Sequence, residues 1–401
     1  MKFNKWTLGL AAVGAVSMAS AVRADEAPKL VPVEAISSTV ISGYVDVAVQ
    51  YNPGDPSGKN GLATTPNQPF GSAGWGFGAA GNVDAFSLNA VVVSLDKALD
   101  ESPWASGYHV DLNWGNAAQA FGRNGTALPV RQAYVTMRTP VGNGIDWKFG
   151  AFDGVTGYEG NTGYANPNYT RSYGYQINPA SELGFIGSYK IVDGVTMQMG
   201  IAERGGTFGI ANQTSVGLSS KDYIATLALT APDSWGWLKG STLNLGMVQG
   251  FDNGAVNNYS ANVTLATPVT GLKFGLAFDA AQTLTQQGAY GGFLPNQGPD
   301  LSWDGYIYGA YVTYQATDKL AFNLRGEYVD ASGTKAGLPN FEEVTATIEY
   351  DLWANVVSRA EFRWDHGESG RWFNNGSGPS GTGTPSTQDN FLLALNLVYK
   401  F

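Results

Sequence analysis

The last eleven residues constrain the fold of this chain most strongly, because large apolar residues recur there with a period of two. Counting back from the terminus, every second residue from Phe401 to Phe391 is aromatic or leucine, while Asn390, Asn396 and Lys400 have the other parity. Successive side chains of a β-strand point to opposite faces, so the pattern predicts a strand with one apolar and one wetter face. Such strands occur in soluble β-sandwiches and in barrels whose apolar side faces lipid.

The first 24 residues are typical of a secretory signal peptide. Two lysines precede an apolar run, Trp6–Met18, that is too short to span a bilayer. Small residues permit cleavage after Ala24 or after Ala21. We therefore predict export, a short periplasmic lead at 25–38 and one further domain at 39–401.

The composition favours a barrel that is polar inside and apolar outside. Only 14% of the residues are charged, against a norm of about 25%, and 53 of the 401 residues are glycine. Because no later stretch is apolar over the length of a transmembrane helix, membrane insertion must use strands. The chain contains no cysteine and has a formal net charge of −10. We therefore expect neither disulfides nor nucleic acid as a partner.

Alternation along the chain predicts about sixteen strands, and the connections between them alternate in length. Long connections follow the odd-numbered strands and short turns follow the even-numbered ones, except at Asp96–Gly107 and Pro232–Thr242. In outer-membrane barrels the short turns face the periplasm and the long loops face outward. The pattern predicts an all-β, transmembrane, antiparallel up-and-down barrel with both termini on the periplasmic side.

Three short stretches carry a family resemblance: Ser42-Gly-Tyr-Val-Asp46, Asn166-Pro-Asn-Tyr-Thr-Arg-Ser-Tyr-Gly174 and the aromatic terminus. With them the chain resembles the OmpL-like β-barrel porin family over nearly its whole mature length. The resemblance implies a bacterial outer-membrane porin that passes small hydrophilic solutes and ions by passive diffusion. It also implies contact with outer-membrane lipid and lipopolysaccharide, and a homotrimer by analogy with sixteen-strand porins. The barrel-assembly machinery is expected to recognise the C-terminal strand, with Tyr399 and Phe401 forming the membrane-insertion terminus.

Charged side chains with inward parity belong in a watery lumen, because a charge that faces lipid costs about 2–4 kcal/mol at mid-depth. The predicted pore-wall charges are Arg138, Lys148, Arg325, Glu327, Glu349, Arg359, Glu361 and Arg363. Arg325, Arg359 and Arg363 fall on one side of the barrel, two strands apart. They can form a basic ladder that sets ion preference, or they can simply be cross-strand ion pairs.

The third outer loop, residues 153–182, is the predicted constriction, since the third loop of sixteen-strand porins folds into the channel. The candidate residues are Asp153, Tyr158, Glu159, Tyr164, Tyr169, Arg171, Tyr173 and Glu182. If the loop folds inward, its carboxylates can face the basic ladder and narrow the bore. If it folds outward, it is a lid or a subunit contact. Its tyrosines can also guide sugar rings, which defines a selective channel as an alternative.

Residues for catalysis, metal binding or cofactor binding are not apparent, and we predict no enzyme. The two histidines, His109 and His366, are far apart in sequence, and no serine is placed beside His109 for nucleophilic attack. The stretch Gly76–Gly81 matches a dinucleotide fingerprint but precedes a strand, whereas the fingerprint requires a helix there. A barrel hydrolase and a plugged structural or adhesive barrel remain as alternatives.

Overall fold

The computed structural model describes residues 38–51, 86–115, 130–203, 221–250, 256–283, 304–330, 340–369 and 388–401. The predicted signal peptide, residues 25–37 of the predicted lead and most of the long outer connections lie outside these ranges. Among the helices of the described residues, none has both the length and the apolar character needed to cross a membrane.

The described residues form sixteen antiparallel β-strands in a closed barrel, in which each strand pairs with its neighbours in sequence and β1 pairs with β16. The strands are β1 (Val40–Tyr51), β2 (Phe86–Lys97), β3 (Ser106–Trp114), β4 (Val130–Thr139), β5 (Ile145–Asp153), β6 (Ser181–Val192), β7 (Val195–Glu203), β8 (Lys221–Thr230), β9 (Thr242–Gly250), β10 (Val256–Ala266), β11 (Leu272–Thr283), β12 (Asp304–Gln315), β13 (Leu320–Asp330), β14 (Phe341–Trp353), β15 (Val356–Gly367) and β16 (Asp389–Lys400). The predicted fold class is therefore confirmed. Short helical segments are α1 (Tyr173–Ile177) and two 3₁₀ turns, Gly163–Ala165 and Asp233–Leu238.

The period-two pattern separates an outer and an inner face, as β16 illustrates. Leu395 on the outer face is 60% exposed, whereas the adjacent Ala394 on the inner face is 6% exposed. Tyr399 and Phe401 also lie on the outer face and are half exposed. In a bilayer this outer face contacts lipid tails, so the apolar residues that the sequence spaces two apart cover the barrel rather than fill it.

The barrel closes where the two ends of the chain meet. Gly43 donates its amide to the Phe401 carbonyl at 2.9 Å, and Phe401 donates back to the Gly43 carbonyl at 3.0 Å. A Cβ atom at Gly43 would collide with the Phe401 ring and with the Val92 carbonyl. Glycine in the first strand thus makes room for the terminal aromatic ring, and two of the three stretches that carry the family resemblance adjoin each other.

Of the four register shifts between the described strands, two are β-bulges that turn one additional side chain inward each. In β2 the register against β1 skips Asn89, and in β4 the register against β3 skips Arg131. A bulge places two residues of one strand opposite one residue of its partner and so re-aims a side chain. Both Asn89 and Arg131 are buried, on the same side of the wall as their inward-facing neighbours.

Candidate functional site

The third outer loop, hereafter L3, comprises residues 154–180, which is slightly shorter than predicted. Asp153 and Glu182 belong to β5 and β6, because the ladder continues through the pairs Asp153–Ser181 and Phe152–Glu182. The prediction that these two residues belong to the loop was therefore wrong. The alternation of apolar and polar residues does not show where the pairing of two strands ends. The Gly154 amide donates to the Ala180 carbonyl at 2.9 Å and joins the two ends of L3.

Wall carboxylates accept hydrogen bonds from the L3 backbone. Glu361 of β15 accepts from the amides of Tyr169 at 2.6 Å and Thr170 at 2.9 Å. Glu327 of β13 accepts from the amides of residues 173 and 174 at 2.6 and 3.0 Å. Bonds to a charged acceptor are about twice as strong as neutral ones. L3 starts at β5, so these bonds fasten it to strands on a distant part of the inner wall.

The three arginines of the predicted ladder bind L3 carbonyl groups on the same wall. Arg359 donates to the carbonyls of residues 163, 164 and 166 at 3.1, 2.5 and 3.1 Å. Arg325 donates to the Thr170 carbonyl at 2.8 Å, and Arg363 donates to the Arg171 carbonyl at 2.6 Å. The wall therefore binds both the donors and the acceptors of one stretch of loop backbone.

Each ladder arginine also pairs with a carboxylate. Arg325 lies 2.8 Å from Glu159 of L3 and 3.0 Å from Glu343 of β14. Arg363 pairs with Asp365 at 2.7 Å, and Arg359 pairs with Glu349 at 2.7 Å. The three arginine side chains are at most 1% exposed. A carboxylate thus compensates each arginine charge at close range. This arrangement agrees with the interpretation of the ladder as cross-strand ion pairs.

The L3 tyrosines contact the wall in different directions. Tyr158 stacks on Tyr311 of β12, with ring centroids 4.1 Å apart. Tyr164 packs edge-on against Tyr44 of β1 at 4.9 Å. The Tyr169 hydroxyl accepts from Gln50 of β1 at 2.7 Å and from Asn89 of β2 at 3.1 Å, and the Tyr173 hydroxyl donates to Asp365 at 2.7 Å. L3 therefore touches strands on both sides of the β1–β16 seam.

Tyr175 and Arg171 belong to the interior of L3 itself. The Tyr175 hydroxyl donates to Asn161 Oδ1 at 2.6 Å, and the Arg171 guanidinium stacks over the Tyr175 ring at 5.1 Å. Burial raises the pKa of Tyr175 to about 12, so the hydroxyl keeps the proton that it donates at neutral pH. Ser172 caps α1 by accepting from the Tyr175 amide at 2.9 Å.

The wall of β5–β9 meets the beginning of L3 through apolar side chains. Phe152, Ile186, Ala202, Ile224 and Val248 form a buried cluster on the inner face, and Val155 of L3 packs against it. Sequence reasoning did not anticipate this cluster, because it expected a uniformly polar inner face. Inward parity of apolar residues on neighbouring strands is the signal that could have revealed it.

Arg138 and Lys148 stand apart from this loop–wall contact. Arg138 makes a two-pronged pair with Asp146 of β5 at 2.6 and 2.7 Å. The Lys148 ammonium lies 4.5 Å from the centroid of the Tyr134 ring and 5.5 Å from that of Phe152. The eight predicted wall charges are thus divided between six that join or neighbour the L3 contact and these two.

Arg131 is the main site residue that sequence reasoning missed. It makes a two-pronged pair with Asp153, whose Nε–Oδ1 distance is 3.1 Å, and it donates to Thr162 of L3 at 3.0 Å. Simple alternation assigns Arg131 to the lipid face, and only the bulge turns it inward. The sequence signal that could have revealed the bulge is an arginine at a position that alternation assigns to lipid, where a charge is energetically costly.

His109 does not form a nucleophile relay in the described part of the barrel. Its ring nitrogens lie 3.0 Å from Asp96 and 3.0 Å from Asp111. Ser94 donates its hydroxyl to Asp111 at 2.5 Å and so is bonded to the carboxylate rather than to the imidazole. A catalytic serine must be hydrogen-bonded to the imidazole, which acts as the general base, and not to the carboxylate. Likewise, the described residues contain no cluster of three or more metal-ligating side chains.

A family model described as "Putative beta-barrel porin-2, OmpL-like" matches residues 38–401. The chain belongs to this family. The predicted resemblance is thereby confirmed over the whole barrel. No curated protein matches the chain in sequence.

Outer-membrane proteins are among the solved structures with a similar fold. The anion-selective porin from Comamonas acidovorans has a TM-score of 0.56 at 12% identity, covering 91% of this chain and 99% of that one. The trimer form of OmpT from Vibrio cholerae has a TM-score of 0.53 at 14% identity, covering 90% and 99%. The channel DcaP of Acinetobacter baumannii has a TM-score of 0.54 at 10% identity, covering 90% and 97%. Family and fold together indicate an outer-membrane porin barrel, and a channel rather than an enzyme.

Proposed function

We propose that this porin passes small hydrophilic solutes and ions by passive diffusion, and that L3 sets the width of its bore. The observation that supports this most directly is the binding of consecutive L3 amides by Glu361 and Glu327, far from the strands that L3 connects. A loop fastened in this way occupies part of the lumen at all times. Solutes then pass through the space that the loop leaves free.

We further propose that the ladder arginines act mainly as fasteners for L3. They are compensated by carboxylates and hardly exposed, so their field in the water of the bore is weak compared with that of unpaired charges. Arg138 is compensated in the same way by Asp146. The Lys148 ammonium lies outside this contact and against aromatic rings, so of the eight predicted charges it is the better candidate for ion preference.

Shortening the loop tests the constriction. Deleting Gly160–Asn168 removes the segment that Arg359 holds, and we expect larger single-channel conductance in planar bilayers. A deletion of equal length at 375–383, in the last long outer connection, serves as the control. If the L3 deletion leaves the conductance unchanged, L3 does not limit the bore.

A plugged barrel is the second candidate, and a specific observation favours it. L3 contacts β13 through the ion pair of Glu159 with Arg325 and β15 through the hydrogen bond from Arg363 to an L3 carbonyl. It contacts β1 and β2 through Tyr164 and Tyr169, and the β5–β9 wall through Val155. A loop that touches the wall in all these directions leaves little of the lumen free. The plugged barrel predicts no conductance steps from the wild-type protein and clear steps from the L3 deletion.

A sugar-selective channel remains an extension of the first proposal. Tyr158 and Tyr164 present aromatic faces, but each already packs on a wall tyrosine. Selectivity for a sugar predicts saturable block of the current by that sugar, whereas a general channel shows none.

The remaining family-based proposals concern export and assembly. We propose cleavage of the signal peptide after Ala24 or Ala21, which N-terminal sequencing of the mature protein tests. One neighbour was solved in a trimer form, and we propose a homotrimer here, to be tested by cross-linking in native membranes. Lipid and lipopolysaccharide are the proposed partners of the outer face. The proposed signal for the barrel-assembly machinery is the strand that ends in Tyr399 and Phe401.

A further inference from the structure

We infer that Arg131 and Asp153 form a clasp that fixes the root of L3 and so determines where the loop lies in the lumen. This inference rests on the proposed function in one respect, because the position of L3 matters to transport only if L3 limits the bore. Arg131 is a positioning residue in this proposal, since it acts on the bore through the loop.

The backbone of β4 brings Arg131 to this place. The residue is skipped in the register against β3, where Asp111 pairs with Gln132 and Leu112 pairs with Val130. Val135 and Met137, at the next odd-numbered positions, are about half exposed on the outer face. Without the bulge, Arg131 would share their parity and face lipid. Because of the bulge, both Arg131 and Gln132 are buried. The irregularity therefore positions one guanidinium beside the end of β5.

The clasp joins three segments of the chain. The Arg131 guanidinium binds both carboxylate oxygens of Asp153, the last residue of β5, and donates to the Thr162 hydroxyl in L3 at 3.0 Å. Asn161 donates from the other side to Asp153 Oδ1 at 2.8 Å and to the Ala180 carbonyl, at the end of L3, at 2.6 Å. The Arg131–Asp153 pair, with Asn161, thus joins the start of L3, the segment at residues 161 and 162, and the end of L3 at Ala180.

The contact extends from the clasp into the second half of L3. Asn161 accepts from the Tyr175 hydroxyl at 2.6 Å, and its carbonyl accepts from the Arg171 guanidinium at 2.8 Å. Only 3% of the Arg131 side chain is exposed. A bidentate guanidinium–carboxylate pair in such a place fixes direction as well as distance, which an ammonium or an amide does not reproduce.

The same strand provides a matched control. Arg138 of β4 also makes a two-pronged pair with an aspartate of β5, Asp146, at 2.6 and 2.7 Å. In the described part of the chain, the guanidinium of Arg138 donates to Asp146 and not to L3. Removing either guanidinium breaks one bidentate pair between the same two strands, but only Arg131→Gln releases the loop.

Trypsin provides a readout that is independent of conductance. Arg171 is a tryptic site within L3 and is 1% exposed. For the full chain folded in detergent, we expect Arg131→Gln to speed cleavage after Arg171 at least tenfold. Arg138→Gln should leave that rate at the wild-type value, and Arg131→Lys should fall between them. Thr162→Val removes only the loop side of the contact and should also speed the cleavage, so a folding defect of Arg131→Gln does not remove the test.

Single-channel conductance then separates the inference from the proposed function. A larger or noisier single-channel conductance for Arg131→Gln, but not for Arg138→Gln, supports both the clasp and the proposal that L3 limits the bore. Faster cleavage with unchanged conductance supports the clasp and contradicts the view that L3 limits the bore. If Arg131→Gln and Thr162→Val both fold and both cleave at the wild-type rate, the clasp is refuted whatever the conductance.

Discussion

The binding of L3 amides by Glu361 leads to a quantitative prediction for Glu361→Gln. The carboxylate accepts two amide bonds, at 2.6 and 2.9 Å, and a third bond from the Thr347 hydroxyl at 2.6 Å. Hydrogen bonds to a charged group contribute about 1.5–3 kcal/mol each and neutral ones about 0.5–1.5 kcal/mol. In glutamine one oxygen becomes an NH₂ donor, so one buried donor loses its acceptor, at a cost of about 1–3 kcal/mol.

These terms overlap, and together they amount to a loss of about 2–4 kcal/mol in the docking of the loop segment around residues 169 and 170. Each 1.4 kcal/mol is a factor of ten, so the undocked population should rise roughly 30-fold to several hundred-fold. Amide hydrogen exchange reports local opening of this kind. We therefore expect exchange in the peptide 168–174 to accelerate by that factor, while the strands keep their protection.

The control is Glu203→Gln in β7. Glu203 accepts from Lys221 at 2.7 Å, and this pair joins β7 to β8. The same chemical change there should leave exchange in the peptide 168–174 at its wild-type rate. Equal exchange of that peptide in wild type and Glu361→Gln would refute the idea that wall carboxylates hold the loop. Equal acceleration in both variants would show a general loosening of the barrel instead.

Three further predictions follow from the seam, the ladder and the loop interior. Gly43→Val forces a side chain into the Phe401 ring, and we expect the free energy of unfolding to fall by about 1–3 kcal/mol. On gels, the variant should convert to the slow-migrating unfolded form at a lower temperature than the wild type. An unchanged transition temperature contradicts the packing argument. Arg363→Ala leaves Asp365 without its cationic partner, although Tyr173 still donates to it, so the reversal potential in a salt gradient should shift toward cations. An unchanged potential would mean that this pair lies away from the ion path. The pKa of Tyr175 is raised, so its hydroxyl stabilises L3 fully below about pH 10, the pKa of tyrosine in the unfolded chain. This contribution is lost as the pH rises through about 12, the pKa in the folded protein. Amide hydrogen exchange of the peptide 168–176 should follow this course in the wild type and much less in Tyr175→Phe.

The barrel was predictable because every strand displays the same physical constraint. The lipid side must be apolar, so residues such as Leu393 and Leu395 recur every second position, and the number of strands follows from the number of such runs. Strand ends were less certain. β11, for example, continues to Thr283, because its pairing with β10 persists to that residue.

The candidate site was only partly predictable, because its geometry depends on departures from alternation. Parity placed Glu361 and Arg325 on the inner wall, but it carries no information on which loop atoms they bind. Apart from side chains such as Glu159, those partners are backbone groups, which every residue possesses. Arg131 and Asn89 were missed since strict alternation assigns both to the lipid face, where only the cost of a polar side chain marks the bulge. The apolar inner cluster around Ile224 was missed because an open water-filled bore does not require it.

The carboxylates and guanidinium groups of β13 and β15 hold L3 by its peptide groups, and this limits which parts of L3 can vary. At positions 169, 170, 173 and 174 the amide is an anchoring group, so proline at any of them removes an anchor. The side chains of this segment are also committed to the wall, since the hydroxyls of Tyr169 and Tyr173 bind it and a Cβ atom at Gly174 would collide with Asp279. Replacements that spare the support must therefore fall on L3 residues outside this segment.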